Sequence, residues 1–255
     1  MRSVFLLIVS IFSAVAACAQ DDLFGPQASG TVRSGFLIGA NGSADFPAAD
    51  MAKRFGTSFR VGGSLQYRLQ NNWQFGVKGD FLFGNDIRED SSLINVRDAS
   101  GFFLDDAGQR TGAAVSERGY LLGIMAGKMI PFHKADPNKG LLLQLTTGFM
   151  QHKISFYNQQ ENLAQLHGDY KKGYDRLTNG WFVEPYVGYQ HFSNSGLVNF
   201  HIGLDAVVGF NAGRRDYQFD IRRPDKDSRL DVLFGIRGGW YFTIYKKKSE
   251  EVFFE

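Results

Sequence analysis

Between Ser64 and Gly84 apolar and polar side chains alternate with a period of two. Leu65, Tyr67, Leu69, Trp73, Phe75, Val77, Phe81 and Phe83 form one set, and Gln66, Arg68, Gln74, Lys78 and Asp80 the other. That period is the signature of β-strands, whose successive side chains leave opposite faces. The same pattern recurs along the chain and predicts about eight strands: Phe36–Ala40, Thr57–Leu69, Trp73–Gly84, Glu117–Ile130, Leu141–Phe156, Trp181–Phe192, Val198–Asn211 and Arg229–Tyr245. The first is the weakest, and in the fourth both faces are apolar or glycine.

The connections alternate in length. Gln70–Asn72, the segment PFHKADPNK and the segment SNSG are short, whereas Asn41–Gly56, Asn85–Ser116, Asn158–Asn179 and Gly213–Ser228 are long. Strands of this length cross a bilayer at the usual tilt, and an even number of antiparallel strands can close on itself. The expectation is an all-β transmembrane antiparallel up-and-down barrel of about eight strands, with short periplasmic turns, long extracellular loops and both termini periplasmic. A soluble sandwich also alternates, but it keeps its apolar face inside a core, and long strands would seldom all carry Phe, Trp and Tyr at the ends of that face.

The N-terminus, MRSVFLLIVSIFSAVAACAQ, has one basic residue, an apolar core and small residues before Gln20, which is the pattern of a secretory signal peptide. This divides the chain into a signal peptide over 1–19, a barrel over 20–245 and a short periplasmic tail over 246–255. Two cleavage patterns fit: Ala17-Cys18-Ala19 before Gln20, or a lipobox-like run ending in an acylated Cys18. Cys18 is the only cysteine, so after cleavage at Gln20 the mature chain has neither a disulfide nor a thiolate metal site. A formal net charge of +2 in 255 residues gives no bulk electrostatic case for nucleic acid.

In such a barrel the apolar set meets lipid, and Tyr67, Trp73, Trp181, Tyr189 and Trp240 are candidates for the interfacial belts. The polar set points inward, where eight strands leave room only for side chains. Arg60, Arg68, Lys78, Asp80, Glu184, His201, Asp205, Asp231 and Arg237 then form a mutually compensating network, because a lone buried charge costs several kcal/mol. An ion or proton path is the sharper alternative, disfavoured by the mixture of signs.

One segment carries candidate chemistry. In GYQHFSNSG, Gly188–Gly196, residues His191, Ser193 and Asn194 resemble the H-x-S-N segment of the outer-membrane lipid A deacylases, small barrels with a His base, a Ser nucleophile and a later Glu that orients the His. The resemblance implies an esterase site of His191, Ser193 and Asp205. Asp stands where the family has Glu, parity puts Asp205 inward and His191 outward, and the motif falls at a periplasmic turn. His133, His152 and His167 are scattered singly. Asp86, Glu89, Asp90, Asp98, Asp105 and Asp106 enrich the second loop in acid without a recognised calcium spacing. The charged run Arg214–Arg229 suits lipopolysaccharide phosphates or a partner.

With Gln after the signal peptide, the FGVKGDFLFG strand and the terminal GIRGGWYFTIY strand, the chain resembles the small outer-membrane β-barrel proteins of Bacteroidota, of the OmpA/OmpX-like type. The resemblance implies a non-enzymatic integral barrel in the cell outer membrane, with a structural or interaction role. Its plausible form is an accessory subunit of a secretion or assembly machine, with no cofactor, surrounded by outer-membrane lipid and lipopolysaccharide and open to envelope protein partners. A surface adhesion barrel, the lipid A esterase and a narrow transporter are the other readings that the residues leave open.

Overall fold

The structure, a computed structural model, describes residues 32–89, 97–98, 100–105, 107–157, 163, 166, 168–193 and 198–245. The expected signal peptide, the terminal tail, Asp90, Asp106, His167 and Asn194 lie outside the described residues.

Twelve strands follow in order. They are β1 (Gly35–Ala49), β2 (Ser58–Arg68), β3 (Trp73–Gly84), β4 (Phe103–Leu104), β5 (Arg110–Thr111) and β6 (Ala114–His133), then β7 (Asp136–Tyr157), β8 (Thr178–Phe192), β9 (Asn199–Gly213), β10 (Arg215–Gln218), β11 (Arg223–Asp225) and β12 (Ser228–Tyr245). Eight of them close an antiparallel barrel in the order β1-β12-β9-β8-β7-β6-β3-β2, each strand paired with its sequence neighbours in the barrel and β1 with β12. The β4/β5 and β10/β11 pairs are small hairpins in two of the long loops.

Two boundaries differ from the sequence expectation. The first strand is no short segment ending at Ala40. It runs on to Ala49, pairing along its whole length with β12, so most of the expected loop Asn41–Gly56 is strand. Ala44, Phe46, Ser43 and Asp45 do alternate, but Gly, Ala and Pro47 dilute the contrast. The expected nine-residue turn between the fourth and fifth strands shrinks to residues 134–135, because β6 and β7 pair down to His133 and Asp136.

The exterior is apolar. Phe75, Val77 and Phe81 on β3, Leu122 and Ile124 on β6, Leu204 and Phe210 on β9, and Phe234 and Ile236 on β12 are all exposed. An outward apolar wall around a polar interior inverts a soluble protein, and hydrocarbon is the solvent that stabilises it. Of the expected interfacial aromatics, four sit toward the short turns. Tyr67 packs edge-on against Phe36 at 5.0 Å, Tyr189 stacks on Phe132 at 6.1 Å, Trp73 lies 5.4 Å from the Lys128 ammonium, and Trp240 is register-paired with Phe200. Trp181 sits toward the long loops, stacked on Phe210 at 6.2 Å. From Trp73 to Phe83 the strand climbs about 25 Å at a tilt of about 40° and about 3.3 Å per residue, the height of an apolar band.

In the second long loop one turn design occurs twice. Asp98 accepts the backbone N–H groups of Ser100 and Phe102, each at 2.9 Å, and Asp105 those of Ala107 and Gln109, at 3.0 and 2.7 Å. Gly101 and Gly108, with φ of +84° and +73°, complete the two turns. These acids therefore hold turns, and Glu89 reaches Arg176 at 3.0 Å. The Phe102 N–H, the Ser100 N–H and the Arg110 guanidinium hold the Asp98 carboxyl below the usual carboxylate range. Its folded pKa being depressed, the order it confers is full above the ordinary carboxylate pKa and is lost as pH falls through the lower folded value. The protection factor of the Phe102 amide, its exchange rate corrected for the intrinsic pH dependence of amide exchange, is expected to fall as the pH drops below the ordinary carboxylate range, and in Asp98→Ala to be low throughout.

Candidate functional site: a sealed lumen

The interior is built in layers. At its centre the Arg60 guanidinium contacts four carboxylates, Asp45 at 2.8 Å, Asp205 at 3.0 Å, Glu184 at 3.3 Å and Asp80 at 3.8 Å. Lys78 bridges Glu184 at 2.6 Å and Asp80 at 2.8 Å. Arg237 donates to Glu184 and, at 3.0 Å, to Gln144, and lies 4.1 Å from the centre of the Tyr186 ring. Strand parity aims these side chains inward from β1, β2, β3, β7, β8, β9 and β12, so the cluster ties most of the wall together.

Apolar layers bracket this charge. Toward the short turns Leu37, Met129, Phe192 and Tyr241 form one cluster. Toward the long loops Leu82, Leu121, Met150, Phe182, Val207 and Leu233 turn inward, and Met51 and Phe55 pack onto them from the β1–β2 connection, which folds into the barrel mouth. Arg54 pins that connection inside the wall through Asp231 at 2.7 Å and Thr178 at 3.2 Å. Side chains occupy the lumen at these three levels, as the width of an eight-stranded barrel allows.

The nine expected lumen residues are all buried, but they do not form one network. Arg60, Lys78, Asp80, Glu184, Asp205 and Arg237 share the central cluster. Asp231 belongs to a separate group near the long loops, held by Arg54, by His152 at 2.9 Å and by Asn211 at 2.8 Å. His201 joins Tyr186 at 2.9 Å and Asn41 at 3.1 Å. Arg68 stands apart at the short-turn end, donating to Asn72 and Asn138 and lying 4.0 Å over the Phe192 ring. Sequence reasoning missed Asp45, which lay in a segment assigned to a loop, and Arg54 and Glu117. Glu117 hydrogen-bonds to Ser58 inside the wall.

The three residues of the candidate esterase site are not brought together. Asp205 is register-paired with Tyr186 and His191 with Phe200, five residues or about 17 Å along the ladder. Asp205 is bound by Arg60 within the central cluster, while His191 packs against the Phe200 ring at 5.4 Å. The Ser193 N–H donates to the Asn199 side chain at 3.0 Å. The sequence resemblance is therefore overturned as a triad: alternation sends Asp205 and His191 to opposite faces of the wall. Among the described residues no group of three His, Cys, Asp or Glu side chains is placed to hold a metal ion.

No family model and no curated protein matches the chain. Among solved structures, it is similar to Neisserial surface protein A, with 9% identity over 83% of this chain and 99% of that one, at a TM-score of 0.48. It is also similar to Ail, the attachment invasion locus protein of Yersinia pestis, with 13% identity, 82% and 99% coverage and a TM-score of 0.39. A third is the outer membrane protein AlkL, with 10% identity, 89% and 98% coverage and a TM-score of 0.35.

Proposed function

We propose that this chain is a non-enzymatic integral barrel of the outer membrane that works through its surfaces, as an interaction partner within a cell-envelope assembly. The observation that carries this is the lumen, charged at mid-height and closed by apolar side chains above and below. A sealed barrel offers no diffusion path, which leaves its walls and its two ends as working surfaces. On this reading the long loops are extracellular and both termini periplasmic.

The long-loop end supports the same reading. Phe103, Leu163, Leu166 and Tyr174 form a core of their own above the barrel. Arg176 ties Glu89, Asp220 and Asp225 together there, and Arg215 holds Asp175 at 2.5 Å. Loops with a core and an ion-pair network present fixed side chains rather than a wet fringe. Tyr170 and Tyr217 stand 65% and 48% exposed on this cap, aromatic area of the kind that binding surfaces use. A surface-recognition role is the second form of the proposal and rests on that cap; an accessory subunit of a secretion or assembly machine is the first.

In planar bilayers the purified chain is expected to give no steady conductance, and a reproducible ohmic step would contradict the sealed lumen. Purification in mild detergent is expected to retain stable envelope partners, while a lone monomer with intact lipid surroundings would sink the assembly role.

A further inference from the structure

On the outer wall, one step beyond the aromatic belt at the long-loop end, Arg118 of β6 and Lys153 of β7 are directly opposite in register. Like charges in that position repel and destabilise a ladder unless something negative lies between them. Among the described residues neither has a carboxylate partner: Arg118 donates only to the carbonyl oxygen of its neighbour Glu117, at 2.7 Å. A third cation follows along the same arc, where Arg214 donates to Asn179 at 2.5 Å and Asn179 to Gln151 at 3.3 Å.

Immediately toward the membrane centre lie Tyr120 and Phe149, 6.1 Å apart, and Trp181 with Phe210. The cations thus stand at headgroup level, above the rings that mark the edge of hydrocarbon. Below them, across β6, β7 and their neighbours β2, β3 and β8, the wall is indented. A groove of about 690 Å³ is lined by Gly79, Leu122, Ile124, Thr147, Gly148 and Trp181. Gly79 and its register partner Gly63, both on the outward face, leave the depression between the larger side chains.

We infer that Arg118 and Lys153 clamp the phosphate of a membrane lipid whose acyl chain lies in the groove below. A phosphate between the two side chains accepts charge-assisted hydrogen bonds from both and cancels their repulsion. The acyl chain fills a depression that flat packing would leave open. The site rests on the membrane-spanning reading of the barrel and needs no protein partner, so it stands or falls separately from the assembly role.

The test uses the full chain in neutral detergent, with folding checked by heat-modifiable gel mobility and lipid retention read by native mass spectrometry. The probes are dioleoyl phosphatidic acid, dioleoylglycerol, which differs only in lacking the phosphate, and inorganic phosphate. Phosphatidic acid is expected to be retained at least tenfold more tightly than dioleoylglycerol, and millimolar inorganic phosphate is not expected to displace it. Arg118→Gln with Lys153→Gln should remove that preference, while Lys171→Gln, on the loop cap, should leave it unchanged. Lys153→Glu should pair with Arg118, fold normally and lose the lipid, which keeps the test decisive if the double variant fails to fold. Equal retention of both lipids, a double variant that binds as the parent does, or displacement by inorganic phosphate would each overturn the inference.

Discussion

Arg60→Met is expected to be the most damaging single substitution in the chain, lowering stability by about 3–5 kcal/mol or preventing insertion altogether. The parent cluster sets Arg60, Lys78 and Arg237 against Asp45, Asp80, Glu184 and Asp205. Without Arg60 two cations face four carboxylates, and Asp45 keeps only a 3.0 Å hydrogen bond from Ser43. The remaining carboxylates lose a partner that had replaced their hydration. A urea titration in lipid vesicles, followed by tryptophan fluorescence and gel mobility, measures the loss. The companion double variant Lys78→Met with Asp80→Leu removes opposite charges together and leaves Glu184 on Arg60 and Arg237. It is expected to cost less than either single change at those positions, since removing a whole pair avoids a stranded charge. Wild-type stability in Arg60→Met would show that the cluster is incidental to the fold.

The second large effect is expected at Gly235. A Cβ there would lie 2.1 Å from Asp205 Oδ1 and 2.4 Å from Asp45 Oδ1, and 3.0 Å from an Arg60 nitrogen. These are ends of side chains, yet they are not free to swing, because Arg60 bonds both carboxylates. One added methyl must therefore spread the centre of the network or push β12 outward, and Gly235→Ala should cost about 3 kcal/mol. Gly42 on β1 is the control. Its Cβ would point to open space on the lipid side, with the nearest atom 4.0 Å away, and Gly42→Ala should stay within about 0.5 kcal/mol of the parent. Equal costs at the two positions would mean that glycine matters here for strand conformation rather than for the room it leaves the charges.

Both effects depend on contacts of long sequence range. Arg60 and Asp205 are 145 residues apart, and Lys78 and Glu184 are 106 apart. Alternation told which way each would point and hence that both belong inside. It could not tell that Arg60 and not Arg68 sits among the acids. Tilt and register decide that, placing Arg68 at the short-turn end beside Asn72 and Asn138. The same parity argument separated His191 from Asp205, and the structure adds the axial offset.

The inward apolar residues were hidden for a different reason. Leu82, Leu121, Phe182 and Val207 fall on the polar face of their strands, where a period of two admits any side chain that packs. An apolar residue on that face looks like noise until the barrel closes and sets several of them at one height. Asp45 was lost because Gly42, Ala44, Pro47, Ala48 and Ala49 weaken the hydrophobic contrast of β1. Pairing with β12 on one side and β2 on the other supplies the strand with backbone hydrogen bonds that local sequence does not announce.

Period-two alternation with long aromatic-rich faces determined by itself that the chain forms a barrel of about eight strands, which face meets hydrocarbon, and that charge belongs inside. Those are local properties, set by the direction in which each Cβ leaves a pleated strand. Which charges meet, where apolar layers seal the lumen, and which two cations are left opposing each other on the outer wall were decided only by closure. Register and tilt around the barrel convert positions along eight strands into heights along one axis, and no single strand contains that information.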